Sequence, residues 1–92
     1  MIRGFRHKGL KRLYQDDDGS KVQPAHIERL KDILVRLDAA TKVQDMNLPG
    51  LKLHPLKGKR KGIWSVSVDA NTRVTSGFEA EDVVDVNYED YH

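Results

Sequence analysis

Two short clusters carry the side chains that could do chemistry. One is Asp90-Tyr91-His92, a carboxylate, a phenol and an imidazole in succession; the other is His54-Pro55-Leu56-Lys57-Gly58, an imidazole within a lysine- and arginine-rich stretch. The chain has no cysteine, so it offers neither a thiol nucleophile nor a metal thiolate. What remains suits proton transfer on a phosphodiester, with acid/base groups beside cations that hold a phosphate. An imidazole ordinarily titrates near ~6.5, so His54 and His92 can each take or give a proton at neutral pH. Asp90 can accept a proton or orient an imidazole, and Tyr91 can donate to a phosphate oxygen or stack on a base. Four histidines without an HExxH motif or His/Cys pairing argue for no metal and no cofactor. His7 and His26 are assigned no role.

Charge distribution supports an anionic partner more than net charge does. The 92 residues sum to only +2. Residues 1–12, however, carry Arg3, Arg6, Lys8, Lys11 and Arg12 without an acid, and residues 52–62 carry Lys52, Lys57, Lys59, Arg60 and Lys61 without one. Acids gather at Asp16-Asp17-Asp18 and between Glu79 and Asp90. Segregated basic stretches in a near-neutral chain fit local phosphate contacts, although such runs also occur as plain solvated surface.

These side chains must be positioned by one small domain, residues 1–92, with a thin core. Apolar residues are 38% and charged residues 33%, the balance of a soluble globular protein. No apolar run approaches the roughly 20 residues of a membrane span, and the basic N-terminus lacks the apolar stretch of a secretory signal. With no cysteine, a cytoplasmic location without membrane contact is expected.

Ile2 to Phe5 reads as a short strand. The spacing of Leu10, Leu13 and Tyr14 predicts a helix closed by the turn at 16–20. Pro24 suits a first helical turn, and Ile27, Leu30, Ile33, Leu34, Leu37 and Ala40 form one apolar stripe, predicting a helix to about Ala40. Leu51-Lys52-Leu53 reads as a short strand ended by His54-Pro55. Ile63 to Val68 alternates with Trp64, Val66 and Val68 on one face. Arg73 to Phe78 follows with Val74 and Phe78 inward, then Val83 to Tyr88 with Val84, Val86 and Tyr88 inward. The expected fold is α+β: two N-terminal helices on one face of a mostly antiparallel sheet of four or five strands. Alternation puts Arg73 and Thr75 on the face the helices leave uncovered.

The same residues resemble the HigB-type toxins of bacterial toxin–antitoxin modules, within the RelE-like superfamily. The resemblance spans nearly the whole chain. It rests on Ile2-Arg3-Gly4-Phe5-Arg6-His7-Lys8-Gly9-Leu10, Leu37-Asp38-Ala39-Ala40-Thr41, Leu53-His54-Pro55-Leu56-Lys57-Gly58, Trp64-Ser65-Val66, Asn71-Thr72-Arg73-Val74-Thr75 and Tyr88-Glu89-Asp90-Tyr91-His92. It implies a microbial-RNase-like fold and a ribosome-dependent endoribonuclease that cuts messenger RNA in the decoding site and blocks translation. It also implies neutralisation by a HigA-like helix-turn-helix antitoxin, through which alone operator DNA would be reached. His54, Asp90, Tyr91 and His92 match the family's catalytic positions, and Arg73 and Lys57 its phosphate-side cations. Lys59, Arg60 and Lys61 are read as contacts to ribosomal RNA. The alternative is a non-catalytic toxin-like module that binds RNA or antitoxin. Thr72 stands where the family commonly has Trp, and Ser76 where it has Phe. Parity with Val74 and Phe78 directs the Ser76 hydroxyl to the core.

Overall fold

The computed structural model describes residues 1–90, so Tyr91 and His92 lie outside the described residues. Helix α1 spans Lys8–Asp16 and buries Leu10 and Leu13. His7 starts it: the Nδ1 atom accepts from the Leu10 N–H at 3.0 Å, satisfying one of the amides a helix leaves unpaired at its N-terminus. Asp17, with φ of 55°, ends it in the left-handed conformation. A 3-10 turn at Pro24–His26 leads into α2, Ile27–Ala39. Its stripe of Leu30, Ile33, Leu34 and Leu37 is buried, as the spacing predicts.

Four strands follow: β1 (His54–Pro55), β2 (Ile63–Ser67), β3 (Thr72–Glu79) and β4 (Asp82–Asp90). They form one sheet in the order β1-β2-β3-β4, with every neighbouring pair antiparallel. The helices pack on one face, where Leu10, Leu30, Ile33 and Leu37 meet Val66, Val74, Val83 and Val86. Burial of these side chains, worth about 1.5–3 kcal/mol for each large one, is what joins the two layers.

The expected N-terminal strand is reduced to two isolated parallel bridges, Ile2 to Val83 and Phe5 to Val86, along the outer edge of β4. Asp38 of α2 ties this segment down. One of its carboxylate oxygens accepts from the Ile2 N–H at 3.0 Å and from the Tyr14 hydroxyl at 2.7 Å, and both bonds hold its pKa below the ordinary range.

Two expectations are corrected. Leu51-Lys52-Leu53 is not a strand, and pairing begins at His54. Gly50 and Lys52 both have positive φ, 84° and 51°, which breaks the extended backbone, while Leu51 is buried in the core. In β4, Val84 does not join the core; Val83 and Val86 do, both wholly buried. Thr75 pairs with Asn87 but Gly77 with Val84, so two steps on β3 oppose three on β4. The extra residue makes a bulge in which Asp85 takes φ of 54° and the alternation reverses. Ser76 follows the predicted parity: it is buried and paired with Trp64.

Candidate functional site

Cross-strand partners in a sheet share a face, and so do residues two apart on one strand. The register therefore assembles one surface, away from the helices, from two adjoining rows. His54, Ser65, Thr75 and Asn87 make one; Ser67, Arg73 and Glu89 make the other. His54 and Arg73, 19 positions apart in sequence, thus stand on a common rigid floor.

His54 is half-buried, and its Nδ1 lies 3.0 Å from the Lys52 carbonyl. A carbonyl can only accept, so Nδ1 carries the proton and the lone pair of the neutral ring sits on Nε2. The left-handed backbone at Lys52 is what turns that carbonyl toward the ring's own residue. Pro55 keeps His54 extended for pairing with Ser65.

Arg73 is largely buried, and its Nη2 stands 3.7 Å from a Glu89 oxygen. Glu89 is the centre of the most connected polar group on this face. Arg60 grips it with both guanidinium ends, Nη1 at 2.9 Å from Oε1 and Nη2 against Oε2. The Thr75 hydroxyl donates to the same carboxylate at 2.5 Å. The Arg60 bonds first, with Thr75 and the charge of Arg73, hold the Glu89 carboxyl at about 2 instead of 4.5. The same pairing raises the Arg60 pKa. Beneath this clasp Thr75 is only 1% exposed and Ser65 fully buried, with no hydrogen-bond partner for the Ser65 hydroxyl among the described residues. The face opposite the helices is therefore covered at its centre by the Arg60 loop.

The remaining basic residues surround that cover. Lys57 is exposed and opens the 3-10 turn Gly58–Arg60. Lys59, Arg60 and Lys61 line a cleft of about 270 Å³ with Arg6, Ile63, Thr75 and Asp85. Four cations against one acid give the cleft the sign that a phosphate chain requires. Arg60, expected as a contact to ribosomal RNA, is also tied to the sheet through Glu89.

Asp90 falls on the other side. It pairs with Thr72, whose row carries the helix-facing side chains Val74 and Ser76, and it accepts from the Thr72 hydroxyl at 3.5 Å. Its carboxylate thus leaves β4 on the face opposite Glu89 and Arg73. Tyr91 and His92, the other members of that cluster, lie outside the described residues. Among the described residues no three histidine, aspartate or glutamate side chains stand close enough to hold a metal.

Glu89 is the residue of this face that sequence reasoning passed over. The signal for Glu89 was present, because strict alternation from an inward Tyr88 puts it on the Arg73 face. His26 was set aside too, and it has a structural task. It is buried, Nε2 donates to the Asp69 carboxylate at 2.6 Å, and the Tyr88 hydroxyl donates to Nδ1 at 2.5 Å. This fastens the start of α2 to the β2–β3 turn and to β4.

Comparison with known proteins finds matches along almost the whole chain. Residues 3–92 match the family described as the RelE-like toxin of the type II toxin–antitoxin system HigB. The chain is 46% identical to the endoribonuclease HigB of Proteus vulgaris over 92 residues, covering the full length of both. With a profile match across almost every residue and a two-layer α+β structure that carries its basic face on the sheet, the chain belongs to the RelE-like HigB toxins of type II toxin–antitoxin systems.

Proposed function

We propose that this chain is an endoribonuclease that cleaves messenger RNA in the decoding site of the ribosome, and that a HigA-like helix-turn-helix antitoxin restrains it. The observation that carries the reading is the sheet face that His54 and Arg73 share, joined through Thr75 to a cleft lined by four cations. The relative named endoribonuclease HigB, 46% identical over its whole length, supports the same reaction class.

The chemistry is attack of a ribose 2′-oxygen on the adjacent phosphorus. The 2′-O–P bond forms and the P–O5′ bond breaks. A base takes the 2′-hydroxyl proton, and an acid returns one to the departing 5′-oxygen, leaving a 2′,3′-cyclic phosphate and a 5′-hydroxyl. His54, whose tautomer presents Nε2, is one proton carrier. The other is drawn from Tyr91 and His92, since the Asp90 carboxylate leaves the sheet on the opposite face. Arg73, with Lys57, meets the charge that builds on the phosphate oxygens. Lys59, Arg60 and Lys61 meet ribosomal RNA and the message backbone. No step requires a metal. The reaction takes place in the cytoplasm, where ribosomes and message are, and among the described residues no helix is long and apolar enough to cross a membrane.

The test is to map message cleavage in a translating extract. Wild type should produce cuts with 5′-hydroxyl ends that persist in a chelator at concentrations that keep ribosomes intact. Arg73→Ala, and deletion of Tyr91 and His92, should each remove the cuts. Intact message with wild type, or full activity in the truncated chain, refutes the reading.

A further inference from the structure

Glu89 presents a puzzle. A carboxylate sits among the cations of a face read as binding phosphate, within 3.7 Å of Arg73 and in a two-point grip with Arg60. Such a group could act in three ways. It could occupy the phosphate's place until RNA displaces it, it could only hold the fold together, or it could set the cations in position.

The geometry favours the third. Glu89 is the direct cross-strand partner of Arg73, so its carboxylate is anchored by the sheet itself. Arg60 comes from the turn between β1 and β2, 29 residues away in sequence, and reaches Glu89 with the parallel two-point geometry that fixes a guanidinium plane. The Thr75 hydroxyl occupies a further lone pair at 2.5 Å and stops the carboxylate turning. The Glu89 side chain is 18% exposed and that of Arg73 15%, whereas Arg60 keeps 40%, so the exposed cation is held by a buried anchor. Without that anchor, Arg60 and Arg73, both drawn to Glu89, would repel each other, and the Gly58–Arg60 turn would lose its one side-chain tie to β4 among the hydrogen bonds described.

We infer that Glu89 is a positioning residue of the active face: it clasps Arg60 over the sheet and steadies Arg73, fixing the spacing of the two guanidinium groups that the RNA phosphates meet. The inference rests on the RNA-cleavage reading above. A positioning group has a distinctive signature, because removing a negative charge from a basic face favours RNA binding while releasing the cations impairs the chemical step.

Glu89→Gln keeps the shape and removes the charge. Single-turnover cleavage is measured against the concentration of ribosomes programmed with a defined message. The rate at saturation should fall roughly ten- to a hundredfold, the scale of a misplaced reacting group, while the half-saturating concentration stays the same or decreases. Arg60→Gln opens the same clasp from the other end and should lower the saturated rate similarly, and the double variant should be no worse than the slower single one. An unchanged or faster saturated rate in Glu89→Gln makes Glu89 a mere occupant of the phosphate's place and overturns the inference. A fall in rate with weaker binding, in step with a lost melting transition, makes it structural and overturns it too; if Glu89→Gln does not fold, Arg60→Gln decides, and a wild-type saturated rate there refutes it. If wild type leaves every message intact, the cleavage reading itself has failed. The clasp is then judged by nitrogen-15 NMR of the arginine side chains: slow guanidinium rotation for Arg60 in wild type and fast rotation in Glu89→Gln uphold it, and fast rotation in wild type refutes it.

Discussion

The Glu89 clasp makes a definite claim about acid stability. A carboxyl held at about 2 in the folded protein, against an ordinary 4.5, stabilises the fold only while it is ionised. By linkage that difference amounts to about 3 kcal/mol at neutral pH. Arg60 keeps 40% of its side chain in solvent, which screens the pair, so about 1–2 kcal/mol is the expected contribution. The direction follows from the depressed value. The contribution is complete above 4.5, declines as pH falls through 4.5 toward 2, and is gone only below about 2, where folded and unfolded chains are both protonated. Asp38 and Asp69, also depressed, weaken in acid as well, so the measurement must be a difference. Urea unfolding of wild type and Glu89→Gln at a series of pH values between 7 and 2 supplies it. Wild type should be the more stable by about 1–2 kcal/mol at neutral pH, with the gap closing toward 2. Equal stability at neutral pH, or a gap that does not change with pH, would show that the Arg60 and Thr75 bonds to Glu89 do not contribute as the geometry requires.

Other perturbations reach other parts of the fold. Ser65→Ala removes a fully buried hydroxyl that has no hydrogen-bond partner among the described residues, and should raise stability by about 1 kcal/mol in the same urea assay. His26→Ala leaves the Tyr88 hydroxyl and the Asp69 carboxylate without the ring between them, and should cost about 2–3 kcal/mol; a smaller loss would mean that neither bond to His26 contributes. Asp85→Val puts a β-branched residue where φ is 54°, and should cost about 1–2 kcal/mol in thermal unfolding, whereas Asp85→Gly should be tolerated.

Local patterns in the chain carry over well to the structure. Leu10, Leu13, Leu30, Ile33, Leu34 and Leu37 are all buried, because helical periodicity reports which side must meet a second layer. Val66 and Val74 are buried for the corresponding reason in strands. Failures arise where one backbone residue departs from its neighbours. Nothing in Leu51-Lys52-Leu53 announces that Lys52 turns left-handed, and Asp85 adds its bulge without a glycine to mark it. The pairing of Arg60 with Glu89 is invisible for a different reason: it depends on a loop folding back across 29 positions, which no local pattern encodes. The extended backbone of His54 was legible because a proline follows it. The tautomer was not, because it depends on where the Lys52 carbonyl points.

The bulge at Asp85 also bears on the face that carries Arg60 and Arg73. A slip of one residue moves every later side chain of a strand to the other face. Regular alternation running on from the buried Val83 would turn Asp85, Asn87 and Glu89 inward. Glu89 would then enter the core beneath the helices, and Asp90 would stand beside Arg73. The extra residue lets Val83 and Val86 both be buried, and it returns Glu89 to the cations. The left-handed conformation this demands costs about 1–2 kcal/mol for most side chains, and aspartate is among the few that adopt it readily. Two buried valines and a three-donor carboxylate offset that cost. The identity of the carboxylate that faces Arg60 and Arg73 is therefore decided four residues upstream of Glu89, by backbone geometry rather than by the chemistry of either acid.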